Sequence, residues 1–465
     1  MSSHSVFRVA AALPVLAAMG ARAVPGIESS ASNTDPVDRY ISEALDNNPD
    51  YARAKAAVEA DRERVPQVGA LPDPILSLGI QNDSFTAIKI GEAETSWYWI
   101  VASQAFPWFG KQGLRRDLAS LQARQTEADL ARTRLTIEAN VRRAYLDLLL
   151  VRDQSGLLSK LEVLWAEAED LARARYETGQ GAQSDLLRAQ LERSRLRQRR
   201  WALGAEERRR LEVFNRLRTT PLDAPVPTSG SVSDLPDPEL RGSPEAIADA
   251  ETRSPELARA QLAAEESGQR IVLAKKEYFP DFTVSAGVMP RGRLEPMWQA
   301  GLSFNIPIWG GSKQSRAVAE NQARERSNSR AVEETRQLLQ LRVQERLTLL
   351  EALLETNRLY RSGLLVQSEA TVSSTMTQYG VGRVTFASVL EALTGYVNDY
   401  NGFLESVASA QRLAIAQREV SLDPPALAAP GMGTSSMPGA GPAVNAATPR
   451  STSPTEAATS SMTRM

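Results

Sequence analysis

The stretch that decides the fold is WYWIVASQAFPWFGKQGLRR, Trp97 to Arg116. Trp97, Trp99 and Val101 alternate with Tyr98, Ile100 and Ala102, the period of a strand. The alternation stops at Phe106-Pro107, because proline has no N–H to give a sheet ladder and fixes φ. Gly110 permits a tight corner, and from Lys111 the apolar period becomes that of a helix. The device returns about two hundred residues later in WQAGLSFNIPIWGGSKQSR, Trp298 to Arg316. Here Pro307 stops the strand and Gly310 with Gly311 is expected to turn the corner.

Working outward, the helix after the first corner is expected from about Gln112 to Tyr176. It contains no proline, and at 1.5 Å per residue it reaches roughly 95 Å, longer than any globular core. The segment Tyr176-Glu177-Thr178-Gly179 ends it, and a return helix from Ser184 as N-cap to Leu217 is predicted. Ahead of the first corner, Asp35-Pro36 opens a helix that Pro49 must break or kink, with Asp35 as N-cap. A short strand, Ile75 to Asn82, follows the turn Leu71-Pro72-Asp73-Pro74. After a proline-rich, irregular linker, residues 219–244, the whole plan repeats. Pro49, Ala52, Arg53 and Ala54 match Pro255, Ala258, Arg259 and Ala260; Pro107 and Gly110 match Pro307 and Gly310; Tyr176 and Gly179 match Tyr379 and Gly382. A second proline-free helix is expected from Lys313 to about Gln378, and a last helix to near Val420. The chain therefore divides into a leader 1–23, a first repeat 24–218, the linker, a second repeat 245–420 and a tail 421–465 expected to be disordered. Barrel strands are expected at about 75–82, 96–106, 281–289 and 297–306.

Composition narrows the function. Residues 1–23 read as a secretory signal: Arg8, an apolar run from Val9 to Met19, then Ala21-Arg22-Ala23. The formal net charge of −2 becomes −4 once Arg8 and Arg22 leave with the leader, which argues against a nucleic-acid binder. There is no cysteine, and the single histidine, His4, lies in the leader. Disulfides, zinc sites built on His or Cys, Ser-His-Asp triads and Cys-His pairs are thereby excluded. No cofactor is implied, and an enzyme would have to work with carboxylates alone.

Four strands cannot close a barrel, and open edges in lipid leave unpaired backbone groups. Either the strands make a small soluble sheet, or several chains pool them. Aromatic residues at strand ends (Trp97, Tyr98, Trp99, Trp108, Trp298, Trp309) suit an interfacial belt or ordinary sheet packing. On the first long helix Leu114, Leu118, Leu121, Ala128, Leu135, Leu146 and Leu149 form one stripe. Leu130, Ile137, Val141 and Leu148 form another. Two stripes require neighbours on two sides, as in a ring of helices.

The duplicated strand-strand-helix-helix plan, the FPWFGK and IPIWGG corners, and the paired Tyr-x-x-Gly segments resemble the TolC-like outer-membrane efflux factors over about residues 36–420. The fold this implies is mainly α with a membrane β part. A trimer would build a twelve-stranded β-barrel continuing into a periplasmic α-barrel. The function it implies is the passive exit duct of a tripartite pump, with a periplasmic adaptor, an inner-membrane transporter and outer-membrane lipid as partners. The two hairpin tips, Tyr176 to Ala189 and Tyr379 to Ala392, would form the periplasmic mouth and meet the adaptor. Gly179 and Gly382 would make the turns. Glu391 and Asp185 would supply gate acids, with Ser388 where an aspartate is common, and Arg383 would pair with one acid or remain a solvated loop residue. The LPDP turn, the FPWFGK corner and the Met289-Pro290-Arg291 loop resemble the heavy-metal branch. Met289 and Met297 would flank the second barrel hairpin, as packing groups or as contacts for a soft cation such as Cu(I). The alternatives are a secreted coiled-coil protein with a small soluble sheet, and a periplasmic adaptor, which would need more strands.

Overall fold

The computed structural model describes residues 36–228 and 230–425. The expected leader and Asp35 cap, and the tail beyond residue 425, lie outside the described residues. Pro49 and Pro255 each separate two helices in the same way. Helix α1 (Pro36–Asn47) gives way to α2 (Pro49–Gly69) at Asn48, whose side chain accepts from Asp50 N–H at 2.8 Å and caps the new helix. Proline sits at its first turn, where no N–H is needed.

Strands β1 (Ile75–Gln81) and β2 (Trp97–Phe106) lead into α3 (Lys111–Glu177), an unbroken helix of 67 residues, about 100 Å long. The return helix α4 spans Gln183–Leu217. Ser184 does not cap it. Gln180 and Gly181 N–H both bond to Arg175 O, at 2.8 and 2.9 Å, and this tight wrap brings the chain into the helix before Ser184. The linker has one short 3₁₀ turn, Val232–Asp234, and buries Val226 and Val232.

The second repeat runs α5 (Ser243–Arg253), α6 (Pro255–Lys276), β3 (Asp281–Arg291) and β4 (Leu294–Asn305). Ser254 caps α6 as Asn48 caps α2. Both strands are longer than their alternation indicated. Met289-Pro290-Arg291 is not a loop: it ends β3, with a register shift between Met289 and Arg291 that accommodates the proline. The turn is only Gly292-Arg293, with Gly292 at φ +62°. A π-turn, Gly310–Gln314, then opens α7 (Ser315–Leu359). A second π-turn, Tyr360–Leu364, joins α7 to α8 (Leu365–Gly380), and α9 (Phe386–Glu419) returns. Residues 421–425 of the expected tail are placed, and Arg342 and Arg346 on α7 donate to the carbonyls of Leu422 and of Ser421 and Asp423.

The four strands form one antiparallel sheet in the order β1-β2-β3-β4. The helices lie side by side in one layer. At the sheet end α2, α3, α6 and α7 run abreast; at the far end the order is α4, α3, α9, α8. Helix α3 thus has neighbours on both sides, as its two stripes require. Where the repeats join, Tyr145, Leu148, Phe214, Phe403 and Leu404 form the largest core. A second core, with Leu161, Trp165, Val372, Met376, Tyr379 and Phe386, fills the tip half. Among the described residues no helix is long and apolar enough to cross a membrane.

Candidate functional site

The strand register sorts the sheet into two unlike faces. Leu76, Ala102, Ala286 and Ala300 form one cross-strand row; Leu78, Ile100, Val288 and Trp298 form the next; Phe106, Phe282 and Phe304 form a third. Gln104 is the one polar side chain in these rows, opposite Val284 and Leu302. Almost all the large apolar groups on this face are exposed, with Leu78 at 65% and Trp298 at 79%. The opposite face carries Ser77, Gly79, Ser103, Thr283, Ser285, Gly287, Gln299, Gly301 and Ser303. That face also holds Ile75, Val101, two tryptophans and two methionines, but its small and polar groups set it apart from the almost wholly apolar, uncovered side, the pattern of a strand wall between water and lipid. Tyr98 and Trp298 lie on the apolar face, whereas Trp97 and Trp99 lie on the polar one and do not belong to a lipid-side belt. The Trp99 ring covers Gly79, where an added Cβ would sit 2.2 Å from it. Met289 and Met297 flank the turn of the second hairpin, one on each strand. They are direct cross-strand partners on the polar face. Among the described residues no cluster of His, Cys, Asp and Glu is arranged to hold a metal.

The corners differ from one another. Gly110 is left-handed at φ +82°, and this starts α3 without a side-chain cap. Sequence reasoning quoted the FPWFGK corner but missed the residue that locks it. Lys111 is 1% exposed, and its ammonium donates to Asp281 Oδ1 (2.8 Å), Phe279 O (2.9 Å) and Glu277 Oε2 (3.3 Å). Trp108 N–H also donates to Asp281 Oδ1 at 2.7 Å, and its ring stacks on Phe279. A first-repeat corner is thereby fastened to the chain where the second repeat enters the sheet. Following Pro307, Gly310 is not left-handed. The π-turn makes that corner instead, with Ser315 N–H bonded to Gly310 O.

At the far end the two tips are near copies. Gly179 (φ +72°) and Gly382 (φ +78°) are left-handed, and their N–H groups bond to Tyr176 O and Tyr379 O, each at 3.0 Å. The tips touch through side chains. Tyr379, 1% exposed, reaches Asp185 Oδ2 with its hydroxyl at 3.3 Å. Burial, reinforced by the Asp185 charge, pushes the Tyr379 phenol up to about 12, so it remains a donor at any physiological pH. Arg175 lies over the Tyr379 ring, 4.8 Å from its centroid, and donates to Tyr379 O and Gln180 O. The arginine between the tips is therefore Arg175 and not Arg383, which is exposed and makes no ion pair among the described residues. Arg383 N–H closes the tip turn on Gln378 O at 2.9 Å. Tyr176 is exposed, unlike its repeat partner Tyr379. Glu391 is exposed, and Ser388 is half-buried with its hydroxyl 3.4 Å from that of Thr385. About two turns above the first tip, buried Glu169 bridges the hairpin to Arg193 (2.5 Å) and pairs with Arg173 on its own helix (2.9 Å). Its hydrogen bond from Arg193 holds the carboxyl below the usual range despite burial.

Comparison with known proteins fits this geometry. No curated protein sequence matches the chain. Among solved structures, the outer-membrane channel OprN aligns at 17% identity with a TM-score of 0.72, over 83% of this chain and 90% of its own. CusC, described in terms of folding and transmembrane channel formation, gives 17%, 0.72, 83% and 92%. VceC, an outer membrane protein of Vibrio cholerae, gives 15%, 0.67, 83% and 95%. These likenesses establish the fold. The sequence profile described as outer membrane efflux protein matches residues 40–219 and 246–400, one segment in each repeat. With most of its length matched in this way, the chain belongs to the outer membrane efflux protein family, and its site is an outer-membrane wall of strands carried on a periplasmic layer of helices.

Proposed function

We propose that three copies of this chain close into a passive exit duct for a tripartite efflux pump. The observation that carries this is the two-faced sheet with two open edges. Four strands leave one edge each of β1 and β4 unpaired, and among the described residues nothing covers an apolar face of this size. Because β1 and β4 run in opposite directions, β4 of one copy pairs antiparallel with β1 of the next. Three copies then give twelve strands, and the helix layer closes below them. The polar face lines the water path.

The tips form the periplasmic mouth, where an adaptor joined to an inner-membrane transporter docks. Opening separates the hairpins that Arg175, Tyr379 and Asp185 hold together, a two-state change that adaptor contact biases. Glu391 from each copy supplies negative charge at the mouth. Ser388 contributes none, so the ring is less acidic than the one implied by an aspartate there. The cargo includes heavy-metal ions on this reading, carried by the LPDP and FPWFGK segments. The Met289–Met297 pair on the water side fits such a cargo as a transient soft contact.

The test is conductance across a planar bilayer. The purified protein should form cation-blocked pores, and Glu391→Gln with Asp185→Asn should weaken the block. Absence of any pore would remove the duct reading, and unchanged block would remove the acidic mouth.

A further inference from the structure

We propose that the π-turn Tyr360–Leu364 is a hinge, about which α8 and the adjoining part of α9 swing while α3 stays straight. It rests on the reading above that the tips form the mouth, and it says where the motion that opens that mouth is absorbed.

The two repeats differ at this level. Pro107 and Tyr176 are 69 residues apart, whereas Pro307 and Tyr379 are 72 apart. Helix α3 runs between its landmarks without interruption, but the equivalent helix of the second repeat contains the π-turn. A π-turn takes up an inserted residue, widens the helix and loosens its hydrogen bonding, and it is a usual place for a helix to bend.

The packing around the turn is adapted to it. The Tyr360 ring lies 5.9 Å from that of Phe403 on α9. Its hydroxyl approaches α9 so closely that a Cβ on Gly402 would be 2.6 Å away. Glycine inside a helix costs stability, and here it makes room for the tyrosine. One turn toward the sheet, Asn357 is completely buried, and neither its amide nitrogen nor its oxygen has a hydrogen-bond partner. Ser406 on α9 is also buried, and its hydroxyl is likewise unpartnered. The helices are antiparallel, so Asn357, three residues before Tyr360, stands level with Ser406, three residues after Phe403.

Unpaired buried polar groups penalise this arrangement, and the penalty falls when the helices part and water reaches them. Toward the sheet, α7 and α9 are held by Leu350, Leu353, Leu354, Ala410 and Leu413. Toward the tip, α8 and α9 pack on each other through Val372, Met376, Phe386 and Val389, in a core shared with Leu161 and Trp165 of α3. At the level itself Phe403, Leu404 and Val407 hold α9 in the largest core, so the weak contact is the one between Asn357 and Ser406, on the side of α9 that meets the second long helix.

The test uses the full-length protein in detergent. In hydrogen–deuterium exchange, backbone amides 359–366 should exchange at least tenfold faster than amides 156–163 of α3. Equal protection would overturn the hinge. In bilayers, Tyr379→Phe should raise the open fraction, and adding Asn357→Leu with Ser406→Ala should lower it again about tenfold by making that level apolar. If the added pair leaves the raised open fraction unchanged, the hinge is overturned. If exchange is fast at 359–366 while Tyr379→Phe does not alter conductance, the hinge stands and the mouth reading fails.

Discussion

Tyr379→Phe removes one oxygen from the contact between the tips and leaves the buried ring in place. The bond it deletes is 3.3 Å long and ends on a carboxylate. Hydrogen bonds to charged groups contribute about 1.5–3 kcal/mol, and the length places this one near about 1 kcal/mol. That is roughly fivefold in the open-to-closed ratio of a single copy. If three copies open together the factor multiplies to about a hundredfold. Arg175→Leu removes more: between the tips, the hydrogen bond to Tyr379 O and the stacking of the guanidinium on the Tyr379 ring, and within the first tip the bond to Gln180 O. A loss of about 2–3 kcal/mol per copy follows. Single-channel recording in a planar bilayer reads both as open fraction. A cycle with Asp185→Ala isolates the hydroxyl–carboxylate term, because the Tyr379 effect should vanish once Asp185 is gone. Open fractions equal to wild type in both single variants, or full additivity in the cycle, would refute the claim that this contact holds the hairpins together.

Other perturbations have equally definite outcomes. Lys111→Met keeps the buried stem and deletes the charge, leaving Asp281 with only the Trp108 N–H and Glu277 with only Arg115; since both acids are partly exposed, a loss of about 2–3 kcal/mol is expected, visible as a lower Tm in detergent. Glu169 has a depressed folded-state pKa, so its stabilisation is present above the usual carboxylate range and is lost as pH falls through the folded value. Limited proteolysis at the first tip should therefore accelerate under acid conditions in the wild type, and Glu169→Gln should show the fast rate already at neutral pH. Ala286→Arg and Ser285→Arg are one residue apart on opposite faces; the first should cost about 2–4 kcal/mol and block assembly in outer-membrane fractions, while the second should assemble.

Much of this architecture is legible in local pattern. Alternation located all four strands, the absence of proline located the long helices, and Pro49 and Pro255 marked real breaks because a proline acts on its own helix. Gly179 and Gly382 were readable for the same local reason. What pattern could not show is what depends on partners far along the chain. Lys111 is an ordinary helix-start lysine until the sheet brings Asp281 beside it, and Arg175 is one of many arginines until the tips meet. Of the two readings open for Arg383, a partner for one acid or a solvated loop residue, its exposure and the lack of an ion pair among the described residues favour the second. Pro290 suggested a loop, and the sheet absorbed it at a register shift. The π-turns left no mark except the extra residues between Pro307 and Tyr379, a signal visible only when the two repeats are compared.

The central claim is that the sheet is completed between copies in lipid. The most direct test is the mass of the protein extracted from outer-membrane fractions in mild detergent, where one full-length chain is 50.7 kDa. The account predicts a detergent-dependent particle of close to three mature chains. A monomer or dimer that stays in solution without detergent would contradict it, and the apolar face would then need another cover.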